Sequence, residues 1–172
     1  MFGLFSQKQP QCPVDEQTRL WMEHAFLWLT QQFGEAVVQK KGVILPNSNF
    51  FHVIYDGTIE PLHKTAAIVA KQMDIDIDVI DLHVYDQNAN RAIFTVGEDG
   101  QGLAAGAYSK NENTGRYDIF IEKTFLTRKP EEILALLAHE LAHIKLLGEK
   151  RLEDNDEHLT ELTTVLFRSV TA

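Results

Sequence analysis

Residues 130–148 decide the fold, and they read PEEILALLAHELAHIKLLG. Within them His139 and His143 stand four residues apart, and Glu140 directly follows the first histidine. On an α-helix, residues four apart lie on one face, one turn from each other. Two imidazoles at that spacing can bind one metal ion, while Glu140 projects toward the place of an activated water. The spacing predicts the ligand pair and general base of a metal-dependent hydrolase.

The residues around this motif predict a buried helix. Pro130 suits a first helical position, and Gly148 suits the residue just past the end. Glu131 and Glu132 suit the positive end of the helix dipole. Apolar residues lie on several sides of the helix: Ile133, Leu134, Leu136, Leu137, Leu141, Ile144 and Leu147. Because unpaired polar groups are costly in a core, the histidines need partners there. The alternative is a histidine pair in a core network or on a surface, without metal.

A metal site needs at least a third protein ligand, and a catalytic site keeps a fourth position open. Residues 154–167 predict a second helix, because their apolar residues repeat at helical spacing. Glu157 and Glu161 are four residues apart and share one face of this helix. His158 lies on a neighbouring face and is a further candidate ligand.

The two helices together resemble the gluzincin group of zinc metallopeptidases. In that group a glutamate on a later helix is the third ligand, and an acidic residue four positions further on supports a ligand histidine. The resemblance implies a zincin-like fold that binds Zn²⁺ through His139, His143 and Glu157, with Glu161 as the supporting carboxylate. It is closer still to small uncharacterised bacterial proteins that pair a His-Glu-Leu-(Ala/Gly)-His helix with a Glu-x-Leu-Thr-(Asp/Glu) helix. Glu161 stands where Asp is more usual, so Glu161 and His158 stay open as alternative ligands.

Length and composition indicate one globular domain over residues 1–172, with residues 1–12 as a loose N-terminal segment. A formal charge of −9 argues against a nucleic-acid surface, which normally carries a basic patch. The single cysteine excludes an internal disulfide. We find no signal peptide and no apolar run that could span a membrane, which predicts a cytoplasmic protein.

Helices and strands are segregated along the chain, so an α+β fold is expected, with a small mixed or antiparallel sheet packed on the motif helix. The expected strands are 43–46, 79–85, 92–96 and the hairpin 103–108 with 117–121, and the expected helices before the motif are 16–33, preceded by Asp15, and 61–73. The resemblance to zinc metallopeptidases implies that the second hairpin strand forms a sheet edge beside the cleft, where a peptide could add. The alternative is a hairpin that packs on the motif helix and binds no substrate. Gly106 would let the peptide approach, and Tyr108 is either a transition-state donor or a plain core or rim tyrosine.

The sequence therefore predicts a zinc-dependent hydrolase, specifically an HExxH metallopeptidase that acts on a peptide or protein substrate, with Glu140 as the general base. No nucleic-acid or membrane partner is expected, and the sequence does not determine the oligomeric state. The alternative is a catalytically silent metal-binding or protein-interaction module of the same fold.

Overall fold

The computed structural model describes residues 12–40, 47, 49–86 and 105–167. Over these residues the chain has a mixed α+β architecture, as expected, with five α-helices and one three-stranded sheet. The helices are α1 (Glu16–Phe33), α2 (Glu35–Lys40), α3 (Ile59–Gln72), α4 (Pro130–His143) and α5 (Glu157–Leu166). The strands are β1 (Ile80–Tyr85), β2 (Gly106–Lys110) and β3 (Tyr117–Glu122).

The helix boundaries follow the capping signals in the sequence. Asp15 caps α1, since its Oδ1 accepts a hydrogen bond of 2.9 Å from the Thr18 backbone N–H. Gly34 follows the last residue of α1 and has φ 85°, a positive value that glycine adopts without strain. The α3 helix begins at Ile59, two residues before Pro61, and presents a buried face to the core.

The sheet contains the predicted hairpin but orders its strands differently from the prediction. The strand order is β1-β3-β2, with β1 parallel and β2 antiparallel to β3. The strand that precedes α4 is therefore the central one, and the prediction that it forms the sheet edge was wrong. Among the described residues β2 is an edge strand, and its first residues line the cleft of the site. The alternation of apolar residues shows which face of a strand is buried, but it does not show which strands are neighbours.

The motif helix α4 is at the centre of the core. Ile133, Leu137 and Leu141 are each 1% exposed, and α4 packs against α3, α5 and β2. The helical path continues past His143 through a π-helical turn, Ile144–Gly148, in which the Glu149 N–H donates to the Ile144 carbonyl at 2.9 Å. The predicted end near Gly148 is thus confirmed, but the wide turn had no signal in the sequence.

Several expected segments lie outside the described residues: the strands at 43–46 and 92–96, and nearly all of the N-terminal segment. The acidic run 74–78 forms the expected turn before β1, with Asp74 at φ 55° and a short 3₁₀ turn from Ile77 to Val79. None of the described helices has the length and apolar character that a membrane crossing requires.

Candidate metal centre

A cleft of about 990 Å³ opens between the start of β2, one face of α4 and the start of α5. Its walls contain every candidate ligand except His158. The lining residues are Ala105, Gly106, Ala107, Tyr108, Phe125, Glu132, Ala135, Leu136, His139, Glu140, His143, Leu147, Asn155, Glu157, Glu161 and Thr164. The apolar part of this wall comes mainly from α4 and β2, and the acidic part comes from α4 and α5.

Three side chains converge at one point of the cleft. One ligand atom from each of His139, His143 and Glu157 lies within 4.8 Å of the other two. Nε2 of His139 and Oε2 of Glu157 are 3.1 Å apart. Donors at zinc distances of about 2.0–2.1 Å in a tetrahedron lie roughly 3.3 Å apart. The His139–Glu157 pair therefore already has nearly the spacing of two zinc ligands, and the His143 atom lies within 4.8 Å of both.

The two glutamates that share one face of α5 contact different atoms of the same histidine. Oε1 of Glu161 lies 3.0 Å from Nδ1 of His139, whereas Glu157 approaches Nε2. A carboxylate on the far nitrogen selects the imidazole tautomer whose other nitrogen is free to bind metal. The geometry places Glu157 in the cluster and Glu161 behind His139. His158 lies elsewhere, edge-on to Trp21 of α1 with ring centroids 5.9 Å apart.

Asn155 is a cleft residue whose contact the sequence did not predict. Its Nδ2 donates a hydrogen bond to Oε1 of Glu157, which leaves Oε2 directed to His139. Asp156 is the residue that caps α5, through a hydrogen bond of 3.0 Å from the Leu159 N–H. An amide two residues before a ligand carboxylate is a weak signal, because polar residues are common at any helix start.

Glu140 lines the same cleft and is buried, with 4% of its surface exposed. Burial, and secondarily the charge of Glu157, raises the pKa of Glu140 to about 8. Gly106 of β2 makes room for it: a Cβ on that glycine would lie 2.4 Å from Oε1 of Glu140. The space beside Gly106 that we expected a peptide to approach is thus occupied by the Glu140 carboxylate.

His143 is the more buried of the two histidines, with 6% of its surface exposed. Its Nδ1 is buried and has no hydrogen-bond partner in the part of the chain that the structure describes. Burial, and next the neighbouring His139, lowers the pKa of His143 to about 4, against the opposing effects of Glu157 and Asn155. The imidazole is therefore neutral near pH 7, which is the form that binds a metal.

Tyr108 lies against this site from β2. Its ring stacks on the His143 ring, with centroids 5.8 Å apart and planes inclined by 27°. Burial raises the pKa of Tyr108 to about 12, so its hydroxyl keeps its proton at neutral pH. The suggested role of that hydroxyl as a transition-state donor stays a prediction.

Comparison with known proteins adds no relative. No family model, curated protein or solved structure matches this chain. The resemblance to zinc metallopeptidases therefore rests on residues 130–167 and on the arrangement of their side chains.

Proposed function

We propose that this chain is a zincin-like, zinc-dependent hydrolase that cleaves peptide bonds. One observation carries the proposal: His139, His143 and Glu157 converge within 4.8 Å, and the buried carboxyl group of Glu140 lines the same cleft. Two neutral imidazoles and one carboxylate are a ligand set that suits zinc and leaves a coordination position open for chemistry. Without metal, the same contacts would be hydrogen bonds of His139 with Glu157 and Glu161, so metal analysis of the purified protein distinguishes the two possibilities.

Each residue of the site would have its own role in hydrolysis. When bound, zinc would polarise a substrate carbonyl and make water a stronger acid. Glu140 would take the proton from the attacking water at a carboxylate oxygen and return it to the leaving amine. A base whose pKa lies near neutrality can do both, and a bound cation would favour its ionised form. Glu161 would hold the tautomer of His139, and Asn155 would restrain the free oxygen of Glu157.

The charge of the cleft supports a preference among substrates. Apart from the histidines, the ionisable groups of the described lining are Tyr108 and four carboxyl groups, from Glu132, Glu140, Glu157 and Glu161. No lysine or arginine is among the described lining residues. A bound Zn²⁺ would offset two of the four negative charges when all four carboxyl groups are ionised, so the cleft would stay negative. Peptides with basic or free amino groups near the scissile bond should therefore be favoured.

The test is Glu140→Gln, compared with the wild type on a mixed peptide library after purification without chelators. The variant should bind zinc as the wild type does, because Glu140 is not among the three converging donors. It should lose hydrolysis, because an amide cannot take a proton from water. Hydrolysis at the wild-type rate would exclude Glu140 as the base. Wild-type protein that binds zinc but unfolds when chelated, and cleaves nothing, would instead indicate a structural metal module.

A further inference from the structure

The two histidines of the cluster are held in different ways. Nδ1 of His139 lies 3.0 Å from a carboxylate oxygen of Glu161. Nδ1 of His143, in contrast, is buried without a hydrogen-bond partner among the described residues. A metal-binding histidine usually donates its second ring nitrogen to a carboxylate, a carbonyl or water, which sets the ring orientation. Asn155 hydrogen-bonds the His143 ring, and because Nδ1 has no partner that contact falls on the other nitrogen, which a metal would take. With metal bound, the orientation of the ring would therefore be left to the side chains packed against it.

Two rings pack against the His143 imidazole. The Tyr108 ring lies nearly parallel to it, with centroids 5.8 Å apart, and the His139 ring meets it edge-on at 4.9 Å and 86°. Both separations fall in the range over which aromatic rings attract each other. A ring stacked on one side and blocked by an edge on another has little freedom to rotate about its own side-chain bonds.

The Tyr108 ring is itself held in place by Tyr117. It pairs with Ile119 across the hairpin, and Tyr117 is two residues along on the same face, so the two tyrosines are diagonal neighbours. Their rings stack with centroids 5.9 Å apart and planes 28° apart. The Tyr117 hydroxyl donates a hydrogen bond of 3.1 Å to the Gly148 carbonyl, at the end of the π-helical turn that follows His143.

Gly148 is required for this bracing. A Cβ on Gly148 would lie 2.8 Å from the Tyr117 ring, so any side chain there would push the ring away. Gly148 thus contacts Tyr117, Tyr117 contacts Tyr108, and Tyr108 contacts His143. Gly148 and His143 lie on one continuous helical path, and the two tyrosines lie on the hairpin.

We propose that Tyr108 is a positioning residue for His143: its stacked ring, held in place by Tyr117, keeps the imidazole in its metal-binding orientation in place of a hydrogen bond at Nδ1. The proposal rests on the proposed metal site. It concerns the ring and not the hydroxyl of Tyr108, and it therefore differs from a role as a transition-state donor.

The experiment compares Tyr108→Phe with Tyr108→Leu in the full chain. The matched control is Phe120→Leu, which removes a ring from the opposite face of the same hairpin, where it stacks on His83 at 4.9 Å. Zn²⁺ affinity is measured by competition with a chelator, and His143 is observed by NMR of ¹⁵N-histidine-labelled protein without metal. Tyr108→Phe and Phe120→Leu should keep wild-type affinity, whereas Tyr108→Leu should lose about 10- to 100-fold, the range for outer supports of metal ligands.

The NMR spectra give a readout that a loss of stability alone would not move. The wild type and Tyr108→Phe should show one sharp set of His143 ring signals, and Tyr108→Leu should show broadened or multiple signals. Tyr117→Leu, which removes the brace and leaves every ligand, should shift affinity and spectra in the same direction by less. It also serves as the test variant if Tyr108→Leu does not fold.

Two results would overturn the proposal. One is a ring-free variant that folds and keeps both wild-type affinity and sharp His143 signals. The other is a Tyr108→Phe variant that loses as much affinity as Tyr108→Leu, since the hydroxyl would then be the group that matters. If the wild type binds neither Zn²⁺ nor Co²⁺, the proposed metal site fails, and the metal-free spectra alone decide whether Tyr108 orders His143.

Discussion

The contact between Gly106 and Glu140 allows a quantitative test of how the site is packed. In Gly106→Ala, the new Cβ would lie 2.4 Å from Oε1, 2.9 Å from Cδ and 3.0 Å from Cγ of Glu140. Ordinary van der Waals contact begins at 3.4 Å. The carboxylate would have to move by about 1 Å, and with 4% of its surface exposed it has little space to do so.

The expected cost follows from this overlap. Overfilling a packed site destabilises a protein by about 1–3 kcal/mol, and replacing glycine by alanine returns roughly 0.4–1 kcal/mol through the unfolded chain. Gly106→Ala should therefore lower the free energy of unfolding by about 1–2 kcal/mol. In a Glu140→Ala background the three overlapping atoms are absent, so the same substitution should be neutral or slightly stabilising. The coupling energy between the two sites should be about 1–3 kcal/mol.

Urea unfolding of the wild type, both single variants and the double variant, in one metal-free buffer, measures this coupling. Gly115→Ala is the matched control, because Gly115 has φ 71° but no atom within 4 Å of its Cβ position. Its cost, roughly 1 kcal/mol of backbone strain, should be the same with and without Glu140. If Gly106→Ala costs the same in both backgrounds, the inferred packing of Glu140 against β2 is wrong.

Three further predictions concern the titrating and ligating groups. The folded-state pKa of Glu140 is raised from 4.5 to about 8, so metal-free stability should fall as pH rises through that window. Glu140→Gln should remove this fall, gaining roughly 1 kcal/mol per pH unit over the wild type in urea unfolding. The folded-state pKa of His143 is lowered from 6.5 to about 4, so stability should fall as pH drops from 6.5 toward 4, and this acid loss should be smaller in His143→Gln. In chelator competition, Glu157→Gln should weaken Zn²⁺ binding by more than about 100-fold, and Glu161→Gln should weaken it by about 10- to 100-fold. Glu153→Gln is the control and should leave the affinity unchanged. Equal losses in the first two variants would contradict their separate roles.

The local elements could be predicted because their causes are close together in the chain. The start of α4 at Pro130 and the cap of α1 by Asp15 depend on backbone groups within one helical turn. The turn of the hairpin is similar, since Gly115 adopts φ 71° within it. The spacing of His139 and His143 also needs nothing beyond the geometry of a single helix.

The spacing in α5 could not choose between its two glutamates, and only the resemblance implied Glu157 as the ligand. Glu157 and Glu161 are one turn apart on the same face, so the helix presents both of them in one direction. Only the position of α5 along α4 decides that Glu157 meets Nε2 of His139 and Glu161 meets Nδ1. A shift by one turn would exchange them, and no local rule sets that shift.

The side chains that hold the His143 ring could not be predicted either, and for the same reason. Tyr108, Tyr117 and Gly148 belong to two strands and a helical turn, and their contacts arise from strand pairing and from packing of the sheet on the helix. The prediction that β3 forms a sheet edge failed because β1 pairs along its other side. The sequence by itself determined the four longer helices, the hairpin and the His139–His143 pair, since each depends on residues within a few positions. The tertiary structure alone decided strand order, the atoms of His139 that Glu157 and Glu161 meet, and the surroundings of Glu140, because those depend on contacts between residues far apart in the chain, which no periodicity encodes.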